Sequence, residues 1–210
     1  MTGSDDGTLE WLLLIYTLPS QPTRKRAYVW RELKKLGGVY LRDGVALLPR
    51  RPDLEEQLRA VAERIEEYEG TVDLLLSPQF APGRSQALVA RFQEERLAEY
   101  RELHHACVRF LRDVLHQVDA DDFGFPDVDN LDSELGRLRR WYEQIAARDY
   151  FEAPESDRVR DILAKCEEAF ERFTSTASSR VDSDDKARDD VFDRLGGVAA
   201  SEQVPDEYPL

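Results

Sequence analysis

The segment Glu10–Leu18 is a nearly continuous apolar run that stops at Pro19. The run is short, and Pro19-Ser20-Gln21-Pro22 punctuates its end, so it reads as a β-strand and not a helix. A strand apolar on both faces must be covered on both faces. Whatever this chain folds into has to bring a layer to each side of its first strand.

The residues that follow supply one such layer. Thr23–Leu36 reads as a helix with Thr23 as its N-cap. Val29, Trp30, Leu33 and Leu36 form its apolar stripe, and Arg24, Tyr28, Arg31 and Lys35 its opposite stripe. Gly37-Gly38 ends it, because glycine accepts the left-handed turn. Val39–Arg42 and Val45–Leu48 are short strands joined by Asp43-Gly44, a two-residue link that signals a tight hairpin. Asp53 is expected to cap a second helix, which carries Leu54, Leu58, Val61, Ile65 and Tyr68 on one face. Gly70 stops that helix, and Thr71–Leu76 is a last strand closed by Pro78. The order β-α-β-β-α-β is that of a split βαβ, ferredoxin-like unit, with an antiparallel sheet and both helices on one face. The second face then needs its own cover, either from the C-terminal part or from a second subunit.

After Pro78–Pro82 the chain turns helical. Gln86–Val118 has two adjacent apolar stripes, so it expects burial against more than one partner. Asp119–Asp129 reads as an acidic loop. Leu131–Ala147 and Ser156–Thr174 are further helices, and the two large aromatics Trp141 and Tyr142 are expected, with Trp30, to be packing residues. The fold class is therefore α+β. Residues 1–8 form a disordered lead, 9–82 the ferredoxin-like domain, 83–174 an all-helical extension, and 175–210 an acidic disordered tail.

Charge is distributed unevenly. The whole chain carries a net charge of −14, yet residues 22–51 hold nine Lys/Arg against two acids. This block comprises Arg24, Lys25, Arg26, Arg31, Lys34, Lys35, Arg42, Arg50 and Arg51, with Tyr28 in the helical stripe beside them. Such local contrast points to an anion-binding surface on a protein otherwise kept away from polyanions. Arginine's planar fork suits phosphate, and Tyr28 could stack or hydrogen-bond at a nucleic-acid backbone. These ten residues are the candidate nucleic-acid or anion-binding set. No base-reading helix is identifiable.

Other chemistry finds little support. There is no dinucleotide fingerprint, Walker A loop, nucleophile elbow or HExxH zinc motif. Glu102 and His105 form a single Glu-x-x-His pair, where a di-iron bundle needs two, so no metal or other cofactor is expected. Cys107 and Cys166 lie in helical segments with no CxxC or Cys/His cluster around them, and read as free core thiols in a reducing compartment. No signal segment or membrane span is evident, and the protein is expected in the cytoplasm, away from membranes.

Three stretches resemble the N-terminal region of the ChrB chromate-resistance family. They are WLLLIYTLP at Trp11–Pro19 with RKRAYVWRELKKLG at Arg24–Gly37, RDGVALLP at Arg42–Pro49, and LRRWYEQIAARDYFEAP at Leu138–Pro154. The resemblance covers roughly residues 9–174. It implies a cytoplasmic stress-response protein associated with chromate resistance, some members being regarded as chromate-responsive regulators of an efflux operon. Members carry a second, C-terminal domain after this region. Where they have that domain, this sequence has the acidic tail, so a separate protein like the missing domain is an expected partner. The β-α-β-β-α-β part also looks like the small nuclease-like fold of CRISPR adaptation proteins and a unit of phenylacetate-pathway repressors. Those nucleases place an aspartate after the first strand. Here the stretch is Tyr16-Thr17-Leu18, and Thr17 cannot replace a carboxylate on magnesium.

Sequence and resemblance together lead to a dimeric, non-catalytic DNA-binding regulator of a chromate-response operon, with chromate or another oxyanion as effector. The alternatives are an oxyanion-binding or redox protein of chromate detoxification, with a cysteine as reductant, and a non-catalytic dimeric scaffold.

Overall fold

The computed structural model describes residues 9–81, 83–120 and 125–182. Its elements run β1 (Trp11–Thr17), α1 (Thr23–Lys35), β2 (Val39–Arg42), β3 (Val45–Pro49), α2 (Pro52–Glu67), β4 (Thr71–Leu76), α3 (Arg84–Asp119), α4 (Phe125–Ala146) and α5 (Ser156–Asp182). The expected β-α-β-β-α-β order is present. The four strands pair in the order β2-β3-β1-β4, all antiparallel, which is the ferredoxin-like arrangement. The expected lead at 1–8 lies outside the described residues, as does 183–210 of the expected tail.

The described residues form two compact units, one of those up to 94 together with 148–151, and one of 95–147 together with those from 152 onward. In the first, β1 sits centrally, buried on its helix side at Leu12 and Leu14 and covered on its other face at Trp11 and in part at Leu13, while Ile15 is exposed. Leu12 and Leu14 point to the helix side, where they meet Ala46, Leu48, Val29, Leu33, Leu54, Leu58 and Ile65. Trp11 points to the other side and packs with Val39, Leu47, Leu88 and Phe92, with Phe80 and Phe151 against the cluster. Around Trp11, Phe92 stacks at 5.8 Å, Phe151 lies at 5.7 Å and Phe80 meets it edge-on at 6.5 Å. The second cover is thus partly the opening turns of α3 and a short returning segment, Arg148–Phe151. α3 divides along its length: Leu88 and Phe92 belong to the sheet unit's cluster, while Tyr100, Leu103, Cys107, Phe110 and Val114 share the helical core with Val108 and Leu111.

The returning segment also finishes α1. A helix leaves its last carbonyls without intrahelical donors. Here Arg148 donates to the Lys34 carbonyl at 3.2 Å, and the Tyr150 hydroxyl to the Leu36 carbonyl at 2.7 Å. Gly37 makes the turn with φ +70°, and a Cβ there would lie 2.9 Å from the Cβ of Arg148. Gly44 fills the same conformational role in the β2–β3 hairpin, where a Cβ would collide with the Tyr16 carbonyl.

Several boundaries differ from the sequence reading. Thr23 is not the N-cap of α1. Pro22 occupies that position in extended conformation, with no side-chain cap. Asp53 likewise does not cap α2: Arg51 is the N-cap, Pro52 takes the first turn, where its missing N–H costs nothing, and Asp53 and Glu55 face the helix dipole. α4 begins at Phe125 and not Leu131, with Asp127 in its first turn. α5 continues past Thr174 to Asp182, through a Ser/Thr-rich stretch expected to be disordered. The hydroxyls there turn inward on the helix: Ser175 donates to the Glu171 carbonyl at 2.8 Å, Thr176 to Arg172 at 2.9 Å and Ser179 to Ser175 at 2.8 Å.

In the helical unit, α3, α4 and α5 share one core that includes Leu135, Leu138, Ile145, Val159, Ile162 and Phe173. Arg139 of α4 reaches Glu167 of α5 at 2.6 Å.

The role given to the returning segment is open to direct test. Replacing Phe151 with Ala removes a ring from the Trp11 cluster, and should cost about 3 kcal/mol of unfolding free energy in a denaturant titration. A loss below about 1 kcal/mol would mean that the sheet's second face does not depend on it.

Candidate nucleic-acid interface

The basic block is contiguous in sequence, but the antiparallel topology distributes it along the length of the first unit. α1 starts beyond the C-terminal end of β1. β2 runs parallel to β1, since both pair antiparallel with β3, so Arg42 at the end of β2 lies at the same end of the sheet as Arg24, Lys25 and Arg26. Arg50 and Arg51 follow β3 and lie at the opposite end, with Lys34 and Lys35 in the last turn of α1. Between the two ends run the 13 residues of α1, roughly 20 Å at the helical rise. The block is a stripe and not a pocket.

Within it the cations differ in what they are already bonded to. Lys25 is structural: its Nζ donates to the Tyr68 carbonyl at 3.3 Å, sits 3.9 Å from Glu69, and lies 5.4 Å from the centre of the Tyr68 ring. Tyr28 packs edge-on against Tyr68 at 6.0 Å and is half-buried. Arg50 bonds Ser77 at 2.7 Å and pairs with Glu10 at 3.2 Å and Glu55 at 3.5 Å. Arg51 pairs with Asp53 at 3.4 Å and lies 5.5 Å over the Tyr150 ring. Lys35 pairs with Glu32 at 2.7 Å, on the exposed side of α1. Lys34 is half-buried and engaged. By contrast Arg24, Arg26, Arg31 and Arg42 are exposed and have no hydrogen-bond or ion-pair partner among the described residues. Three of these four sit on α1.

The sequence reading missed one residue of this surface. Trp30 is 51% exposed and does not pack in the core. At 100° per residue it is turned a quarter-circle or more away from Val29, and only Val29 and Leu33 of α1 are buried. The available signal was its spacing: Arg26 and Lys34 stand four residues before and after it, which puts Trp30 in a column of cations.

An open groove of about 580 Å³ is lined by Glu10, Arg50, Pro52, Glu55, Glu56 and Arg59, where acids outnumber bases. Arg59, hydrogen-bonded to Glu55, and then Arg50 hold the Glu55 carboxyl below the usual range, so both arginines there are spoken for. Near Arg42 the phenols of Tyr16 and Tyr40 share a 3.0 Å hydrogen bond, and Ala46 pairs opposite Tyr40. Burial first, and then this bond, pushes the Tyr40 hydroxyl far above its ordinary value, so it stays protonated. Thr17 pairs hydroxyl to hydroxyl with Thr71 at 2.6 Å.

In the helical unit Cys107 and Cys166 are fully buried neighbours. The Cys166 thiol donates to the Cys107 carbonyl at 3.5 Å. Its interaction with the Cys107 thiol, and then burial, pushes it well above the ordinary thiol range. A reductant needs an accessible thiolate, so this arrangement works against that role. Among the described residues no group of three or more His, Cys, Asp and Glu is placed to hold a metal ion.

Comparison with known proteins gives a consistent picture. The family model described as Protein ChrB, N-terminal matches residues 26–183. Protein ChrB of Cupriavidus metallidurans is 38% identical over 92 residues, which cover 44% of this chain and 28% of that protein. The matched segment is thus little more than a quarter of that relative's length. No solved structure matches.

The division between engaged and unpartnered cations predicts different thermal behaviour. Lys25→Ala should lose about 1 kcal/mol of stability, since a carbonyl loses its donor and a ring its cation. Arg31→Ala should stay within about 0.5 kcal/mol of the parent. Equal effects in thermal melts would remove the distinction.

Proposed function

The chain belongs to the ChrB N-terminal family, which associates it with chromate resistance, and on that footing we propose that it is a DNA-binding regulator of a chromate-response operon, using the outer face of α1 to hold the phosphate backbone. The observation that supports this most is the set Arg24, Arg26 and Arg31: exposed, on one helix, and without a hydrogen-bond or ion-pair partner among the described residues of a protein of net charge −14. In so acidic a chain, a carboxylate could have been placed beside each of them at little cost. Leaving them unpaired preserves three forked donors for an external anion. The ends of the stripe, Arg42 and Lys35, extend the same footprint.

Binding and not catalysis is the reading the residues favour. The face is convex and open, with Thr17 where a related nuclease fold has its metal-binding carboxylate. A small oxyanion would want a concave site, and the unpartnered arginines of α1 sit on an outer helix face. Chromate, on this reading, acts as effector, with a second domain or a separate protein supplying its site. A homodimer would present two copies of α1 to one stretch of duplex. No helix among the described residues is long and apolar enough to cross a membrane, in keeping with a cytoplasmic regulator.

The test is charge reversal. Arg24→Glu/Arg26→Glu/Arg31→Glu should abolish binding to the operon's upstream duplex near physiological salt. Partial reversal to Ala should lower the slope of log K against log salt by about 0.9 per lost contact. Unchanged affinity and slope in folded variants would refute the assignment of α1.

A further inference from the structure

Among the large apolar side chains, Trp30 stands out as the most exposed on the described surface. The others flagged by exposure, Leu9, Ile15, Leu75 and Leu76, are aliphatic and lie on or next to β1 and β4 at 36–40% exposure. Trp30 is instead held mid-helix, among cations. Arg31 follows it directly, Arg26 and Lys34 lie one turn to either side, and Arg24 is about 10 Å along the axis from Arg31 at the helical rise. Helical side chains lean over the turn before their own, and there the chain has Ala27, itself exposed and too small to cover an indole. The ring is therefore presented on a rigid element with its surroundings charged and its approach open.

An indole so placed has an apolar surface to cover, and the cations beside it select what covers it. Charge complementarity calls for a polyanion, and the aromatic surface calls for a planar partner. A nucleic-acid strand supplies both at once: phosphates for Arg24, Arg26 and Arg31, and a base to stack on Trp30. A fully paired duplex hides the faces of its bases. A base face reaches an external ring only where a base is unpaired or a step has been opened.

We propose that Trp30 is a stacking platform that gives the α1 face a preference for nucleic acid containing an unpaired or unstacked base. This deepens the DNA-binding reading and rests on it: the arginines supply affinity for any strand, and Trp30 discriminates by the state of the base. Its role is distinct from theirs, because it adds no charge and so leaves the salt slope alone.

The experiment uses the full-length protein and two DNA duplexes, one fully paired and one that differs from it only by a single extra, bulged nucleotide at the centre of one strand. Anisotropy titrations are run with wild type, Trp30→Ala and Trp30→Phe, each first checked by thermal melting. Since Trp30 is exposed, neither substitution should unfold the chain. The expected result is tighter binding of the bulged duplex by on the order of ten-fold. That preference should vanish in Trp30→Ala, survive in part in Trp30→Phe, and leave the salt slope on the paired duplex unchanged. Intrinsic fluorescence gives a second readout: the bulged duplex should quench an emission component that Trp30→Phe lacks, Trp11 being buried and Trp141 packed against the helical core. Equal affinity of wild type for both duplexes, or a preference that persists in Trp30→Ala, would overturn the inference while leaving the DNA reading intact. No binding to either duplex at low salt would overturn both, and would turn the Trp30 face over to an acidic protein segment.

Discussion

The first unit depends on the two-sided burial of β1. Its neighbours on the sheet are fixed by pairing with β3 and β4, and its side chains alternate between two separate apolar clusters. The Leu12 and Leu14 side requires α1 and α2. The Trp11 side requires aromatic rings from the start of α3 and from Phe151. Burial of apolar area on this scale is the dominant favourable contribution to folding, and it is non-directional. Direction comes from the pleat, which sends successive side chains to opposite faces. α1 is thereby held with Val29 and Leu33 inward, and the part of its surface that carries Trp30, Arg24, Arg26 and Arg31 faces solvent.

Much of this was legible in the residues. The apolar run before Pro19, the Asp43-Gly44 link and the 3.6-residue periodicity of Leu54, Leu58, Val61 and Ile65 are enough to specify the β-α-β-β-α-β order. The need for a second cover was legible too. Part of its source was not, because Phe151 is distant in sequence and follows a helix of the other unit. Local pattern carries no information about such a return. Capping was misread at Thr23 and Asp53 because the prolines beside them, Pro22 and Pro52, set the backbone at both helix starts. The Ser/Thr run after Thr174 looked like a tail because composition alone ignores the option of bonding each hydroxyl to the preceding turn.

The candidate site was legible as a composition but not as a surface. Ten residues are basic or aromatic neighbours in sequence, yet folding assigns them different work. Lys25, Arg50 and Arg51 hold the unit together through Tyr68, Glu10, Ser77, Glu55 and Asp53. Arg24, Arg26 and Arg31 have no such partner among the described residues. No sequence statistic separates a cation that has an internal partner from one that does not, since the partners come from α2, the turn after it, the residue after β4 and the residue before β1. Trp30 was misplaced for a simpler reason: adjacency to Val29 in sequence means a 100° rotation on a helix. Family membership supports the reading of this surface in DNA binding only through the coarser association with chromate resistance. The structural contribution is to reduce the candidate interface to one helix face.

That reduction can be checked without assuming any role for a particular side chain. Protein and upstream duplex are cross-linked by ultraviolet light, digested, and the DNA-bearing peptide identified by mass spectrometry. The account predicts adducts confined to peptides of Thr23–Lys35, with Arg42 at the margin. Adducts concentrated in α3, α4 or α5, with α1 unmodified, would contradict it.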